Sequence, residues 1–213
     1  DPAAPELMLR HPDEVLGLDV DAFVVGPGLG QGERAETLVG AAIASDLPCV
    51  LDADALNLIA ESEDLRRACT RRRAETLLTP HPGEAARLLV THSADVQANR
   101  LAAARNLSAN LNAHALLKGN GSVIVVRDGR FFINASGNPG MASAGMGDVL
   151  SGVLGALLAQ GLAGEAALVL GTHLHGCAAD ALVAQGQGPV GLRAGELIEP
   201  ARRIWNGWLG RGR

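Results

Sequence analysis

Asn134-Ala135-Ser136-Gly137-Asn138-Pro139-Gly140-Met141-Ala142-Ser143-Ala144-Gly145-Met146-Gly147-Asp148-Val149-Leu150-Ser151-Gly152 is the stretch on which the fold turns. A strand-like run, Arg130 to Ile133, precedes it. An apolar run with helical spacing, Val149 to Leu162, follows it. Its glycines at 137, 140, 145 and 147 let the backbone turn sharply and come close to a ligand. The last of them opens a helix, so free N–H groups and the positive end of the helix dipole face whatever sits there. Such an end suits a phosphate. Asp148 lies in the same turn, and a phosphate cradle with one carboxylate suggests phosphoryl chemistry on a hydroxyl. Taken alone, Gly-Met-Gly-Asp is more often a capped helix start than a site. The loops around it decide between the two.

Upstream, Val123 to Val126 and Phe131 to Ile133 flank Asp128-Gly129, a hairpin signal. Ala115-Leu116-Leu117 reads as a strand that ends at Lys118-Gly119-Asn120-Gly121-Ser122. A lysine there either reaches a nucleotide phosphate or ribose, or is an exposed turn residue. Asp95 to Asn110 reads as a helix. Thr76 to Thr79 is a strand leading into Pro80-His81-Pro82-Gly83-Glu84, whose prolines fix the loop and aim His81. Glu84 falls in the first turn of the next helix, where a carboxylate suits the dipole. Pro48 to Leu51 is a strand closed by Asp52-Ala53-Asp54. These acids either touch a ligand or metal, or Asp54 caps the helix from Ala55 to Ala60.

Asp21 to Val25 is a buried strand running into Gly26-Pro27-Gly28-Leu29-Gly30, with a helix from Glu33 to Ser45 behind it. Open α/β sheets bind ligands at such carboxyl ends. The glycine spacing is not that of a dinucleotide fingerprint. The arginines between Arg66 and Arg73 read as a solvated helix end. Downstream of the central stretch the chain is nearly all helical, over Glu165 to Gln185 and Arg193 to Trp208, with a loose tail beyond. His173 and Cys177 share a helix face but lack a third ligand, so packing accounts for them better than a metal.

A chain of 213 residues, 47% hydrophobic, is one domain or a large part of one, with enough apolar residues for a sizeable core. Tyrosine is absent and phenylalanine and tryptophan are few, so the core is aliphatic. A net charge of -5 argues against non-specific nucleic-acid binding. No apolar run is uninterrupted enough to read as a membrane span. The three scattered cysteines fit reduced thiols and a cytoplasmic location. Strands alternate with helices and then give way to helices, which implies an α/β sandwich, mostly parallel, with one hairpin. The loops after Val25, Leu51, Thr79 and Leu117 then share one sheet edge, where the Gly147–Asp148 helix start can meet them.

These loops, in this order, resemble the ADP/ATP-dependent NAD(P)H-hydrate dehydratases. The resemblance is carried by Gly26 to Gly30, Leu51 to Asn57, Leu78 to Glu84, Leu117 to Gly119, and the run from Gly137 to Gly152. It implies a ribokinase-like three-layer α/β/α sandwich spanning residues 1–213. It implies repair of hydrated NADH and NADPH with ADP, or ATP, as phosphoryl donor and with Mg2+. By motif, Asp148 is the base acting on the substrate hydroxyl. Gly145 and Gly147 cradle the phosphate, and Lys118, Gly119, Asn120, Gly121 and Ser122 border the nucleotide. Gly28, Gly30, His81 and Asn138 contact the hydrated nicotinamide. Glu84 stands where the family places an acid that acts on Mg2+ through water. The family also implies a homotetramer and an association with an epimerase domain. The resemblance starts some strands into the family's domain, so an N-terminally incomplete domain with an open sheet edge is expected. Two other readings share the fold: a kinase acting on a vitamin precursor or sugar alcohol, and a nucleotide-binding remnant without catalysis.

Overall fold

The computed structural model describes residues 7–15 and 17–210. The first six residues and the end of the tail, anticipated as loose, lie outside them. Six short strands form one sheet in sequence order: β1 (Phe23–Val25), β2 (Cys49–Leu51), β3 (Thr76–Leu78), β4 (His114–Leu117), β5 (Val123–Val125) and β6 (Phe131–Ile133). The pairs β1–β2, β2–β3 and β3–β4 are parallel, with Val25, Leu51 and Leu78 aligned at their carboxyl ends. Both later pairs are antiparallel. The sequence foretold the hairpin at Asp128-Gly129. It did not foretell that Gly119 to Ser122 closes a second one between β4 and β5.

Side-chain alternation along the strands supplies both cores. Leu51, Leu78, Leu117 and Val125 face one side, and Val50, Leu77, Leu116 and Ile124 face the other. The first face is covered by α2 (Glu33–Ala44), α3 (Ala53–Glu61), α4 (Glu63–Arg71), α5 (Pro82–Leu89), α6 (Ser93–Ala98) and α7 (Arg100–Leu111). A short α1 (Pro12–Val15) precedes them. Parallel strands laid side by side with crossovers of one hand put every connecting helix on the same face. The opposite face is therefore left for α8 (Met146–Ala159) and α9 (Gly164–Ala184), with α10 (Ile198–Gly210) outside them. By length and composition α9 could cross a membrane, but 56% of its apolar window is buried inside the fold. Its packing against α8 and α10 accounts for that composition.

Two local expectations are corrected. The helix expected from Asp95 to Asn110 breaks at Asn99, whose side chain caps α7 by accepting from the Ala102 N–H at 3.1 Å. The arginine run does not all face water. Arg72 is 5% exposed. Its guanidinium donates to the carbonyls of Ala42, Ile43, Ser45 and Leu47, and its Nε to Thr76 Oγ1 at 2.9 Å. These carbonyls close the carboxyl end of α2, where unpaired acceptors and the negative end of the dipole favour a cation.

Candidate active site

The carboxyl ends of β1 to β4 and the start of α8 converge, and side-chain hydrogen bonds tie them together. Asp52 ends β2. It is 1% exposed and caps α3, accepting from the Ala53 N–H at 2.9 Å. The sequence reading had offered Asp54 as that cap; Asp54 sits inside the first turn instead. It accepts from the Gly30 N–H at 2.8 Å and from Gln31 Nε2 at 3.2 Å. The loop after β1 is thereby tied to the start of α3. Gly28 and Gly30 have φ of +67° and +80°, with open space where a side chain would stand. Ala53 follows Asp52 at φ +46°, a left-handed conformation that costs an alanine about 1–2 kcal/mol. Backbone outliers of this kind collect at functional sites.

Lys118 ends β4, and its ammonium donates to Asp52 Oδ1 at 2.8 Å. It also reaches the start of α8. A Cβ on Gly147 would lie 3.2 Å from Lys118 Nζ, so a glycine at this position allows the approach. Gly145 enters the helix at φ +83° and supplies no side-chain cap. The N–H groups of Gly147 and Asp148 find no acceptor among the described residues. A positive helix end and a lysine thus face one spot, with a buried carboxylate behind them. Such an arrangement suits an anion. Asp148 is exposed in the same turn and has no hydrogen-bond partner among the described residues. It is placed to accept a proton.

His81 and Glu84 come together at the start of α5. His81 Nδ1 accepts from the N–H groups of Gly83 at 3.0 Å and Glu84 at 3.3 Å. Glu84 accepts from the His81 N–H at 2.8 Å, and its other oxygen lies 3.1 Å from His81 Nε2. His81 therefore caps a helix as well as facing solvent, and the capping fixes its ring. Glu84 is buried. Among the described residues no three His, Cys, Asp or Glu side chains are grouped to hold a metal.

Two loops complete the edge. In the Lys118 to Ser122 loop, Ser122 Oγ donates to the Gly119 carbonyl at 3.0 Å, and Asn120 is exposed. Arg100 of α7 holds the loop from below, donating to the Leu117 carbonyl at 3.2 Å and the Gly121 carbonyl at 3.4 Å. In the loop ahead of α8, Asn138 Oδ1 accepts from the Gly140 N–H at 3.1 Å, while its Nδ2 donates to Asp180 of α9 at 3.0 Å. Ser143 Oγ donates to the Leu192 carbonyl at 2.9 Å. A cavity of about 560 Å3 lies between this loop and residues 189–194.

Sequence reasoning missed Ser151, Asp180 and Arg100. The first two had a signal. Ser151 is the one hydroxyl in the apolar run from Val149 to Ala159, and Asp180 is the one acid after Glu165 in α9. A polar residue inside an apolar helix needs a partner; here Asp52 and the Gly137–Asn138 loop provide it. The environments of the cysteines disfavour the thiolate. Burial raises the thiols of Cys49 and Cys69, the latter to about 12, and also raises Cys177. Cys177 and His173 lie 3.4 Å apart, and the His173 ring stacks on Trp208.

The α/β sheet whose strand ends gather around a glycine-opened helix has the ribokinase-like fold. A ribokinase-like superfamily protein from Enterococcus faecalis shares the fold, with a TM-score of 0.77 over 96% of this chain and 72% of that one, at 24% identity. The chain belongs to the NAD(P)H-hydrate dehydratase family, whose model matches residues 5–201. It is 45% identical over 208 residues to the ADP-dependent (S)-NAD(P)H-hydrate dehydratase of Neisseria meningitidis, covering 95% of this chain and 69% of that protein. It is 42% identical to the bifunctional NAD(P)H-hydrate repair enzyme of Coxiella burnetii, spanning 95% of this chain but only 41% of that one. The ADP/ATP-dependent NAD(P)H-hydrate dehydratase of Bacillus subtilis, co-crystallised with ATP/Mg2+, superposes with a TM-score of 0.82 at 29% identity. That match covers 96% of this chain and 73% of the other.

Proposed function

We propose that this chain restores NADH and NADPH from their hydrated forms, using ADP as phosphoryl donor. The observation that carries the proposal is the free Asp148 carboxylate in the first turn of α8, beside the Gly147 N–H and the Lys118 ammonium. Hydroxide is a poor leaving group and phosphate a good one. Asp148 takes the proton of the ring hydroxyl as its oxygen attacks the terminal phosphorus of the nucleotide. A new P–O bond forms and the bond to the departing nucleotide breaks. The ring nitrogen's lone pair then expels phosphate, and loss of a proton from the neighbouring ring carbon gives the dihydronicotinamide. In a loose phosphoryl-transfer transition state the nucleophile needs little deprotonation, so a carboxylate is an adequate base. The helix end and Lys118 stabilise the charge that gathers on the transferred group.

The remaining assignments follow this division. Lys118, Gly119, Asn120, Gly121 and Ser122, with Gly145 and Gly147, take the nucleotide. Gly28, Gly30, His81 and Asn138 take the hydrated nicotinamide. Mg2+ would supply charge neutralisation on the phosphates, and this ion usually keeps several of its waters. Glu84 suits it through water: a carboxylate has about four acceptor positions, and His81 engages only part of them. The bifunctional relatives favour association with a second repair activity, an epimerase. A homotetramer in the cytoplasm completes the proposal.

The test is recovery of dihydronicotinamide absorbance from hydrated NADH with Mg2+ and either ADP or ATP. Turnover with ADP is expected. Failure with both nucleotides, or accumulation of a stable phosphorylated product, overturns the reading.

A further inference from the structure

We propose that Asp52 is a positioning residue that aims Lys118 at the phosphoryl group, and that Ser151 holds Asp52 in the orientation this requires. The inference rests on the nucleotide-dependent reading above and adds the device that sets its cationic side. Asp52 is too buried and too well occupied to meet a ligand. Its Oδ1 accepts from Lys118 Nζ at 2.8 Å and from the Ala53 N–H at 2.9 Å, and its Oδ2 from Ser151 Oγ at 2.7 Å.

Lys118 differs on both counts. Its side chain is 20% exposed. An ammonium has three donors, and one is spent on Asp52. A lysine on its flexible stem is a strongly hydrated point charge, and the positive end of α8 repels it. Asp52 counters both effects. Its Oδ2 lies 3.7 Å from where a Gly147 Cβ would stand, so the carboxylate sits behind the lysine and the helix end together.

Three elements contribute one group each: the end of β2, the end of β4, and α8. Ser151 lies three residues beyond Asp148 on α8. The bond that fixes Asp52 therefore also fixes the rotation of the helix carrying the base. The left-handed Ala53 that follows turns the chain where this carboxylate must point inward.

A double-mutant cycle on ADP affinity, read by titration calorimetry, tests the proposal. Asp52→Asn keeps the shape and removes the charge. It is expected to weaken ADP binding about tenfold where Lys118 is present, and to change nothing further in Lys118→Gln, as coupled neighbours behave. Ser151→Ala, the milder change, is expected to cost about threefold with the same dependence on Lys118. A purely structural role would give equal losses in both backgrounds. Equal losses, or no loss with Lys118 present, overturn the proposal. Should Asp52→Asn not fold, the Ser151→Ala cycle decides alone. Wild-type ADP binding without turnover overturns the reaction proposed above while leaving the cycle readable; absence of ADP binding overturns both.

Discussion

Asp180 Oδ1 accepts from Asn138 Nδ2 at 3.0 Å, and its Oδ2 accepts from the Gly137 N–H at 2.8 Å. One carboxylate on α9 thus staples the loop that leads into α8. Hydrogen bonds to a charged group contribute about 1.5–3 kcal/mol each when buried. Here they hold a glycine-bearing segment that would otherwise sample many conformations.

Asp180→Ala should therefore loosen the substrate side of the site and spare the nucleotide side. The KM for hydrated NADH should rise about tenfold, the factor expected for one such bond. ADP affinity should stay within about twofold, because the hydrogen bonds of Asp180 go to Gly137 and Asn138 and not to the Lys118 to Ser122 loop. Steady-state kinetics and calorimetry on the same preparation check this. An unchanged KM would remove the Asn138 loop from the substrate site.

Asp148 and the Asp52 constellation show what was legible in the sequence and what was not. The loops after β1, β2, β3 and β4 each follow a strand whose apolar run was readable, so the carboxyl edge was legible in the sequence. Gly145, Gly147 and Asp148 were readable because glycine at a helix start and an acid in its first turn have local causes. The partners were not readable. Lys118 with Asp52, Ser151 with Asp52, and Asp180 with Asn138 lie 66, 99 and 42 residues apart in sequence. Period and propensity carry no information about which polar group meets which at that range. Arg72 was misread for the same reason: its cause is the end of α2, about thirty positions upstream.

Asp148→Asn should separate chemistry from binding. Loss of a positioned general base costs about 10²–10⁴ in rate. The replacement keeps the volume and leaves the Gly147 N–H and Lys118 untouched, so kcat should fall by about three orders of magnitude. ADP affinity should be retained or improved, because one negative charge beside the phosphates is gone. Wild-type turnover in this variant would sink the assignment of the base.

Arg72→Ala should be among the most damaging single changes outside the site. It strips donors from the carbonyls of Ala42, Ile43, Ser45 and Leu47 and from Thr76 Oγ1 in one step. Each buried acceptor left without a donor costs about 1–3 kcal/mol. Arg71, one residue earlier, is exposed, and Arg71→Ala should stay within about 0.5 kcal/mol. Urea unfolding of the two variants side by side gives the contrast. Equal midpoints would show that the carbonyls find other donors.

His175 should make the fold sensitive to mild acid. It is buried on α9, its Nε2 has no hydrogen-bond partner among the described residues, and burial lowers its pKa from 6.5 to about 4. In the unfolded chain the ring takes a proton near pH 6.5; in the fold it cannot do so until near pH 4. Between those limits the unfolded state binds more protons, so stability falls as pH falls, starting below about 6.5 and levelling near 4. By pH 5 the loss from this one group should be about 2 kcal/mol. His175→Leu removes the titration. Its unfolding free energy should therefore drop less than that of the wild type between pH 7.5 and pH 5, by at least about 1 kcal/mol. The difference of differences is the quantity to measure, because the carboxylates that titrate in the same range are common to both proteins. Parallel losses would mean that the ring reaches solvent or a partner in the native state and is not held neutral by burial.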